Sequence, residues 1–201
     1  MQLTPEEKIT LETYNTTAKQ WSEKHATVDF WEQEMEIFRK LLPSGKILEI
    51  GSGGGRDARE LIALGYAYVG TDISTGLIEM AKKANSHVTF LAQSVYDLDF
   101  PEGTQFDGFW ASAVLLHIPK TKINEALQQI RKFMRDGAVG FISLKQGDGE
   151  RLEEDKRFFA YYSEKEFRKV LQRNNFEVVQ TTVHPMSGKT TWLCFFVQVH
   201  K

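Results

Sequence analysis

Apolar residues fall into two spacings along this chain, and the spacings alternate. Ile47 to Ile50, Tyr66 to Gly70, Val88 to Leu91, Phe106 to Ala111 and Ala138 to Leu144 are short branched or aromatic runs of strand length. Among them stand helical stripes: Leu61, Ile62 and Leu64 within Arg56 to Leu64; Leu77, Ile78 and Ala81 behind the N-cap residue Ser74; Ile123, Leu127, Ile130 and Phe133 within Ile123 to Met134. Strand and helix in alternation predict βαβ units and a parallel sheet. The C-terminal part differs. Ser163 and Glu166 open a helix that runs to Asn174. Phe176 to Val183 and Thr191 to Val199 are then β-rich runs separated by His184 to Lys189, which predicts a closing hairpin and brings the strands to seven.

Two helices precede the first strand. Thr4 as N-cap, Pro5 at the first helical position and Glu7 closing a capping box start one that reaches about Lys24. Its stripe of Ile9, Tyr14, Ala18 and Trp21 is too sparse for a core helix and predicts a cap or lid. Phe30, Trp31, Met35, Phe38, Leu41 and Leu42 form a core stripe, ended by Pro43-Ser44-Gly45. The expected organisation is one domain over residues 1–201, with a helical cap over 1–42 and an α/β core over 43–201.

Composition narrows the partners. With 201 residues, 41% of them hydrophobic, the chain can bury one core. A formal charge of −2 provides no chain-wide basic field for nucleic acid or an anionic membrane. No uncharged apolar stretch approaches membrane-spanning length. Cys194 is the single cysteine and cannot form an internal disulfide, and no Cys/His cluster has metal-ligand spacing. A cytoplasmic protein without a metal centre is expected, and its oligomeric state is open.

The chemistry concentrates in Lys46 to Asp72. The strand to Ile50 runs into Gly51-Ser52-Gly53-Gly54-Gly55-Arg56-Asp57, and the next strand ends at Asp72. Glycines let backbone turn tightly and approach a ligand. A dinucleotide fingerprint, G-x-G-x-x-G, would need glycine where Arg56 stands. Glu49, just before the loop, would repel a pyrophosphate and suits a cationic ligand. The segment resembles motif I of the class I S-adenosylmethionine-dependent methyltransferases, an acid followed by G-x-G-x-G. The resemblance implies a mostly parallel seven-stranded Rossmann-like sheet with helices on both faces and an antiparallel last strand. It also implies S-adenosylmethionine as cofactor and S-adenosylhomocysteine as product.

Carried over residue by residue, the resemblance places Glu49, Gly51, Ser52 and Gly53 in the cofactor loop, Asp72 on the ribose hydroxyls and Ile73 beside it. Tyr14-Asn15-x-x-Ala18-x-x-Trp21 resembles the segment that folds over the cofactor in such enzymes, against the alternative of plain aromatic packing. Ser94 stands where an aspartate usually contacts the adenine amino group; Asp97 is an alternative partner, and the amide of Val95 meets the ring. Tyr96 either stacks on adenine or is an exposed loop tyrosine. Phe106 to Ala111 and the turn to Pro119 resemble motif IV, where Ala111 borders the cofactor and His117 is a catalytic candidate, unless it only bonds backbone. Lys145 to Glu150 leaves the fifth strand on the ligand side as a glycine-rich, mobile loop. Of the aromatics that follow, Phe158 and Phe159 are assigned to packing and one of Tyr161 or Tyr162 to the site, Tyr161 being the second catalytic candidate. The base-handling Asn-Pro-Pro-Tyr-type motif is absent after Phe109, so a small-molecule acceptor is favoured over nucleic acid. A nicotinamide-dependent oxidoreductase and a non-catalytic S-adenosylmethionine-binding module remain as alternatives.

Overall fold

A computed structural model of the chain describes residues 2–27, 30–185 and 190–201. Helices α1 (Pro5–Lys24) and α2 (Glu32–Leu41) precede β1 (Lys46–Ile50), α3 (Arg56–Ala63), β2 (Ala67–Asp72), α4 (Thr75–Ala84) and β3 (Thr89–Ala92). Strand β4 (Phe106–Ala111) leads through a 3₁₀ turn at Leu115–His117 to α5 (Ile123–Phe133) and β5 (Met134–Lys145). Then come β6 (Glu150–Leu152), β7 (Phe158–Ala160), α6 (Glu164–Arg173), β8 (Phe176–Pro185) and β9 (Thr191–Val199).

Seven strands form one sheet in the order β3-β2-β1-β4-β5-β9-β8. β1 to β5 pair in parallel, and β9 runs antiparallel to both β5 and β8. The chain moves outward from β1 to β3, then returns to place β4 on the other side of β1. Right-handed crossovers therefore set α3 and α4 on one face of the sheet and α5 on the other. The reversal between β1 and β4 opens a crevice at the carboxyl ends of the strands, the usual ligand position in such sheets.

The core centres on Trp110 of β4, which stacks on Phe141 at 3.9 Å and meets the edge of Phe38 at 5.3 Å. Its indole N–H is satisfied by Asp57 Oδ2 at 2.9 Å, tying the start of α3 to the sheet. The apolar stripes hold with three exceptions. Ile9 is 37% exposed, and Leu41 and Ile62 are each 38% exposed. In α3 the inward face is Ala58 and Leu61, three residues apart, and Ile62 lies one further residue, about 100°, around the helix. In α2 the spacing Trp31, Met35, Phe38 continues to half-buried Leu42 and leaves Leu41 outside.

Two further departures come from pairing. β5 starts at Met134, not Ala138: Phe106 pairs with Met134 and Gly108 with Val139, so Asp136-Gly137 is an irregularity within the strand. β6 and β7 form a two-stranded antiparallel sheet where the sequence indicated a loop and an aromatic run. The middle of the predicted β8–β9 connection, residues 186–189, lies outside the described residues.

Helix α1 is docked through polar groups. Glu7, which closes the capping box on Thr4, is only 8% exposed; it accepts a bond from the Tyr96 hydroxyl at 2.5 Å and pairs with Lys122 at 3.2 Å. Asn15 Oδ1 accepts from Ser74 Oγ at 2.7 Å and from the Gly76 amide at 3.1 Å, at the start of α4. The Thr10 hydroxyl accepts the Phe158 amide of β7 at 2.9 Å. A sparse apolar stripe therefore does not mean a loosely held helix here.

Candidate functional site

A cavity of about 810 Å³ occupies the crevice, with α1 passing along it. Tyr14, Glu49, Gly51, Ser52, Gly53, Asp72, Ile73, Ser94, Val95, Tyr96 and His117 all line it. Ala111 does not: it is fully buried in β4, and the next residues, Ser112 and Ala113, reach the cavity instead. Tyr161 is not at the wall either. Its hydroxyl donates to Glu153 Oε1 at 2.5 Å on the outer hairpin, and the aromatic that lines the cavity is Phe159. Tyr162 is likewise buried away from the wall. Tyr96 is buried, not an exposed loop residue, because Glu7 of α1 covers its hydroxyl. Asp97 is exposed and off the wall, which leaves Ser94 as the side chain at that point.

The glycine loop is held by the acid at the end of β2. Asp72 Oδ2 accepts the Gly53 amide at 2.9 Å and Oδ1 the Ser74 amide at 2.8 Å. The carboxylate keeps acceptor capacity beyond these bonds. Burial raises the Asp72 pKa above its ordinary value, and the amides of Ser74, Gly53 and Ile73 oppose that rise. Glu49 is 2% exposed and accepts a bond from the Tyr68 hydroxyl. Burial, then repulsion from Asp57, holds its carboxyl well above the usual carboxylate range. A cation arriving beside Glu49 would favour its charged form. Ser52 Oγ is buried at the wall and has no hydrogen-bond partner among the described residues.

At the other end of the cavity, His117 Nδ1 lies 2.6 Å from the carbonyl oxygen of Phe158. That oxygen can only accept, so Nδ1 carries the proton, and Nε2 accepts from the Tyr14 hydroxyl at 2.8 Å. Arg157 Nη1 donates to the same Tyr14 oxygen at 3.1 Å and is itself paired with Asp155 through Nε at 2.9 Å. The sequence alternatives for Tyr14 and His117 thus merge: Tyr14 packs edge-on against Trp21 at 5.2 Å, His117 bonds backbone, and both still face the cavity.

Burial pushes His117 down to about 3, with the Phe158 carbonyl opposing and Arg157 and Lys145 adding to the fall. The unfolded chain titrates this histidine near 6.5. Between those values the unfolded state binds a proton that the folded state excludes. Stability from His117 is therefore complete above pH 6.5 and declines as pH falls through the window, by at most about 1.4 kcal/mol per pH unit. Urea unfolding from about pH 7 to pH 5 should show a shallower loss in His117→Gln than in the parent protein. Equal slopes would mean that His117 is not held neutral.

Sequence reasoning missed Phe159, Lys145, Arg157 and Trp192 as lining residues. Lys145 had one signal, its place at the carboxyl end of β5. Trp192 had none until β9 was set beside β5, which aligns the two residues.

The family model described as a methyltransferase domain matches residues 47–137, from β1 into the start of β5. Over that span the chain is similar to methyltransferase domains. Over 89 residues the chain is 35% identical to a protein-L-isoaspartate O-methyltransferase of Chlorobium phaeobacteroides, covering 41% of this chain and 40% of that protein. A second such protein, from Chlorobaculum parvum, is 33% identical over 113 residues, 55% of this chain and 48% of its own. The chain thus spans less than half the length of these relatives. Among solved structures, it superposes on Burkholderia thailandensis 1,6-didemethyltoxoflavin-N1-methyltransferase with a TM-score of 0.78 at 20% identity, over 100% of this chain and 92% of that one. Magnesium protoporphyrin IX methyltransferase of Synechocystis aligns with a TM-score of 0.73 at 16% identity, over 99% of both chains. These two likenesses concern the fold.

Proposed function

We propose that this protein transfers a methyl group from S-adenosylmethionine to a small-molecule acceptor and releases S-adenosylhomocysteine. The observation that carries it is the pair of acids around the glycine loop. Glu49 and Asp72 border one cavity, Asp72 holds Gly53, and a Cβ built on Gly53 would meet no atom within 4 Å. Such a wall fits a ligand with a cationic end and vicinal hydroxyls, and the unpartnered Ser52 hydroxyl adds a polar contact. The relatives support it: the toxoflavin enzyme was solved with 1,6-didemethyltoxoflavin and S-adenosylhomocysteine, and the protoporphyrin enzyme with S-adenosylmethionine.

In this proposal Asp72 would receive the ribose hydroxyls on its free acceptor positions, Glu49 would face the methionine portion, and Ser94 would meet the base edge. The bound cofactor supplies an already activated methyl group. The chain's own task is to align the acceptor and exclude water, for which α1 and the β6–β7 hairpin form the cover. We assign His117 to positioning rather than to proton abstraction, because a buried imidazole that resists protonation is a poor acceptor. It holds the Tyr14 hydroxyl at the cavity wall. Tyr161, bonded to Glu153 outside the wall, has no assigned role. We also place the protein in the cytoplasm, in keeping with its buried, free Cys194.

Arg56 in place of the third fingerprint glycine and the buried Glu49 disfavour a dinucleotide. Calorimetric titration should show S-adenosylhomocysteine binding and no binding of NADH. The reverse result would overturn the proposal. Absence of S-adenosylhomocysteine release across a metabolite panel, with S-adenosylmethionine bound, would point instead to a non-catalytic binding module.

A further inference from the structure

Charged side chains are spread along the cavity wall, and those at the β5–β9 half bear on the acceptor. Adjacent strands lie about 4.8 Å apart, so the three steps from β2 to β5 separate Asp72 from Lys145 by roughly 14 Å of sheet edge, with Glu49 between them on β1. Glu49 and Asp72 stand at the cofactor half, and Arg56, Arg59 and Lys83 also line the wall, Arg56 paired with Asp57. At the β5–β9 half the lining charges are Lys145 and Arg157.

Those two cations differ. Arg157 is satisfied by Asp155 and by the Tyr14 hydroxyl. The nearby Glu153 is taken by Arg151, at 2.7 Å, and by Tyr161. The two hairpin acids that act on Lys145, Asp155 and Glu153, are thus each paired with an arginine, while Lys145 is paired with neither. Among the described residues no hydrogen-bond or ion-pair partner is found for its ammonium, which sits 3.9 Å over the Phe159 ring and 5.9 Å from Trp192. Aromatic faces hold a cation in place but leave its N–H groups unfilled. Burial and the neighbouring Arg157 lower its pKa, the condition in which an arriving anion stabilises the charged form. Trp31 and Trp21 also line the cavity, so its wall is rich in aromatic side chains.

We propose that the methyl acceptor is a planar aromatic molecule carrying a carboxylate or comparable anion, which Lys145 receives while the ring lies against Phe159 and Trp192. This rests on the methyltransferase reading of the same cavity. Lys145 is an anion-binding residue here and takes no part in the transfer itself.

The test uses the full chain saturated with S-adenosylhomocysteine and two probes of like size and shape, anionic 4-hydroxybenzoate and its neutral amide, 4-hydroxybenzamide. Calorimetry should show the carboxylate binding at least about tenfold more tightly, the worth of one partly solvated charge-assisted hydrogen bond. In Lys145→Met the preference should vanish, while Lys145→Arg retains it and both variants bind S-adenosylhomocysteine like the parent. Equal binding of the two probes, binding of neither up to its solubility limit, or a preference that persists in Lys145→Met would each overturn the assignment. Loss of the preference in Lys145→Arg would do so as well, since a lysine needed for its dissociable proton would fail in that way. If S-adenosylhomocysteine itself fails to bind the parent protein, the methyltransferase reading falls, and this inference with it; normal binding without carboxylate preference sinks the acceptor class alone.

Discussion

Asp72→Ala should weaken S-adenosylmethionine and S-adenosylhomocysteine by about 30- to 150-fold. Hydrogen bonds to a charged acceptor contribute roughly 1.5–3 kcal/mol each, and two ribose hydroxyls would share this carboxylate. If water recovers between a third and a half, a loss of about 2–3 kcal/mol remains, which is that factor in dissociation constant. The structure adds a second route to the same loss. Asp72 also accepts the Gly53 amide, so its removal frees the glycine loop from the end of β2. It accepts the Ser74 amide too, beside the Ser74 hydroxyl that caps α4 by accepting from Leu77 N at 3.1 Å. A lower melting temperature is therefore expected alongside the weaker binding, and the two effects are separable. Free methionine lacks ribose, and any competition by it should change little. Calorimetry on the variant decides: unchanged cofactor affinity would remove Asp72 from the site, whatever happens to the melting point.

Gly53→Val should reduce cofactor binding by about 100-fold or more, the scale of overpacking a filled site by an isopropyl group on top of a displaced loop. With φ at 53° the backbone is in the left-handed region, and the position of a Cβ faces open cavity, not protein. A branched side chain there would occupy ligand space and add roughly 1–2 kcal/mol of backbone strain. In a domain of this size such strain lowers the melting temperature by about 2–8 °C without unfolding it. Gly53→Ala should fall between valine and the parent, since it brings the strain with a smaller obstruction. Gly51 is tight for a different reason, because its Cβ would lie 2.3 Å from a Val114 methyl carbon, so substitution there should damage folding as well. Retained binding in Gly53→Val would show that the loop does not contact the ligand.

The sequence alone determined the alternation of strands and helices, the closing antiparallel hairpin, the glycine loop after β1 and the two acids bordering it. Each is a local property, a period of two or 3.6 residues or a turn demanding glycine, and survives without knowledge of distant segments. What α1 does was decided only by the tertiary structure. Its anchors are Glu7 to Tyr96, 89 residues apart, and Asn15 to Ser74, 59 apart, and polar contacts at that range carry no periodic signature. The same holds for the β5–β9 half of the cavity. Phe159 rather than Tyr161 reaches the wall because pairing of β6 with β7 turns the Tyr161 hydroxyl outward to Glu153. Lys145 and Trp192 meet because β9 inserts between β5 and β8, a matter of strand order. Local spacing selects the elements, but which side chains share a cavity depends on where the sheet sets those elements side by side.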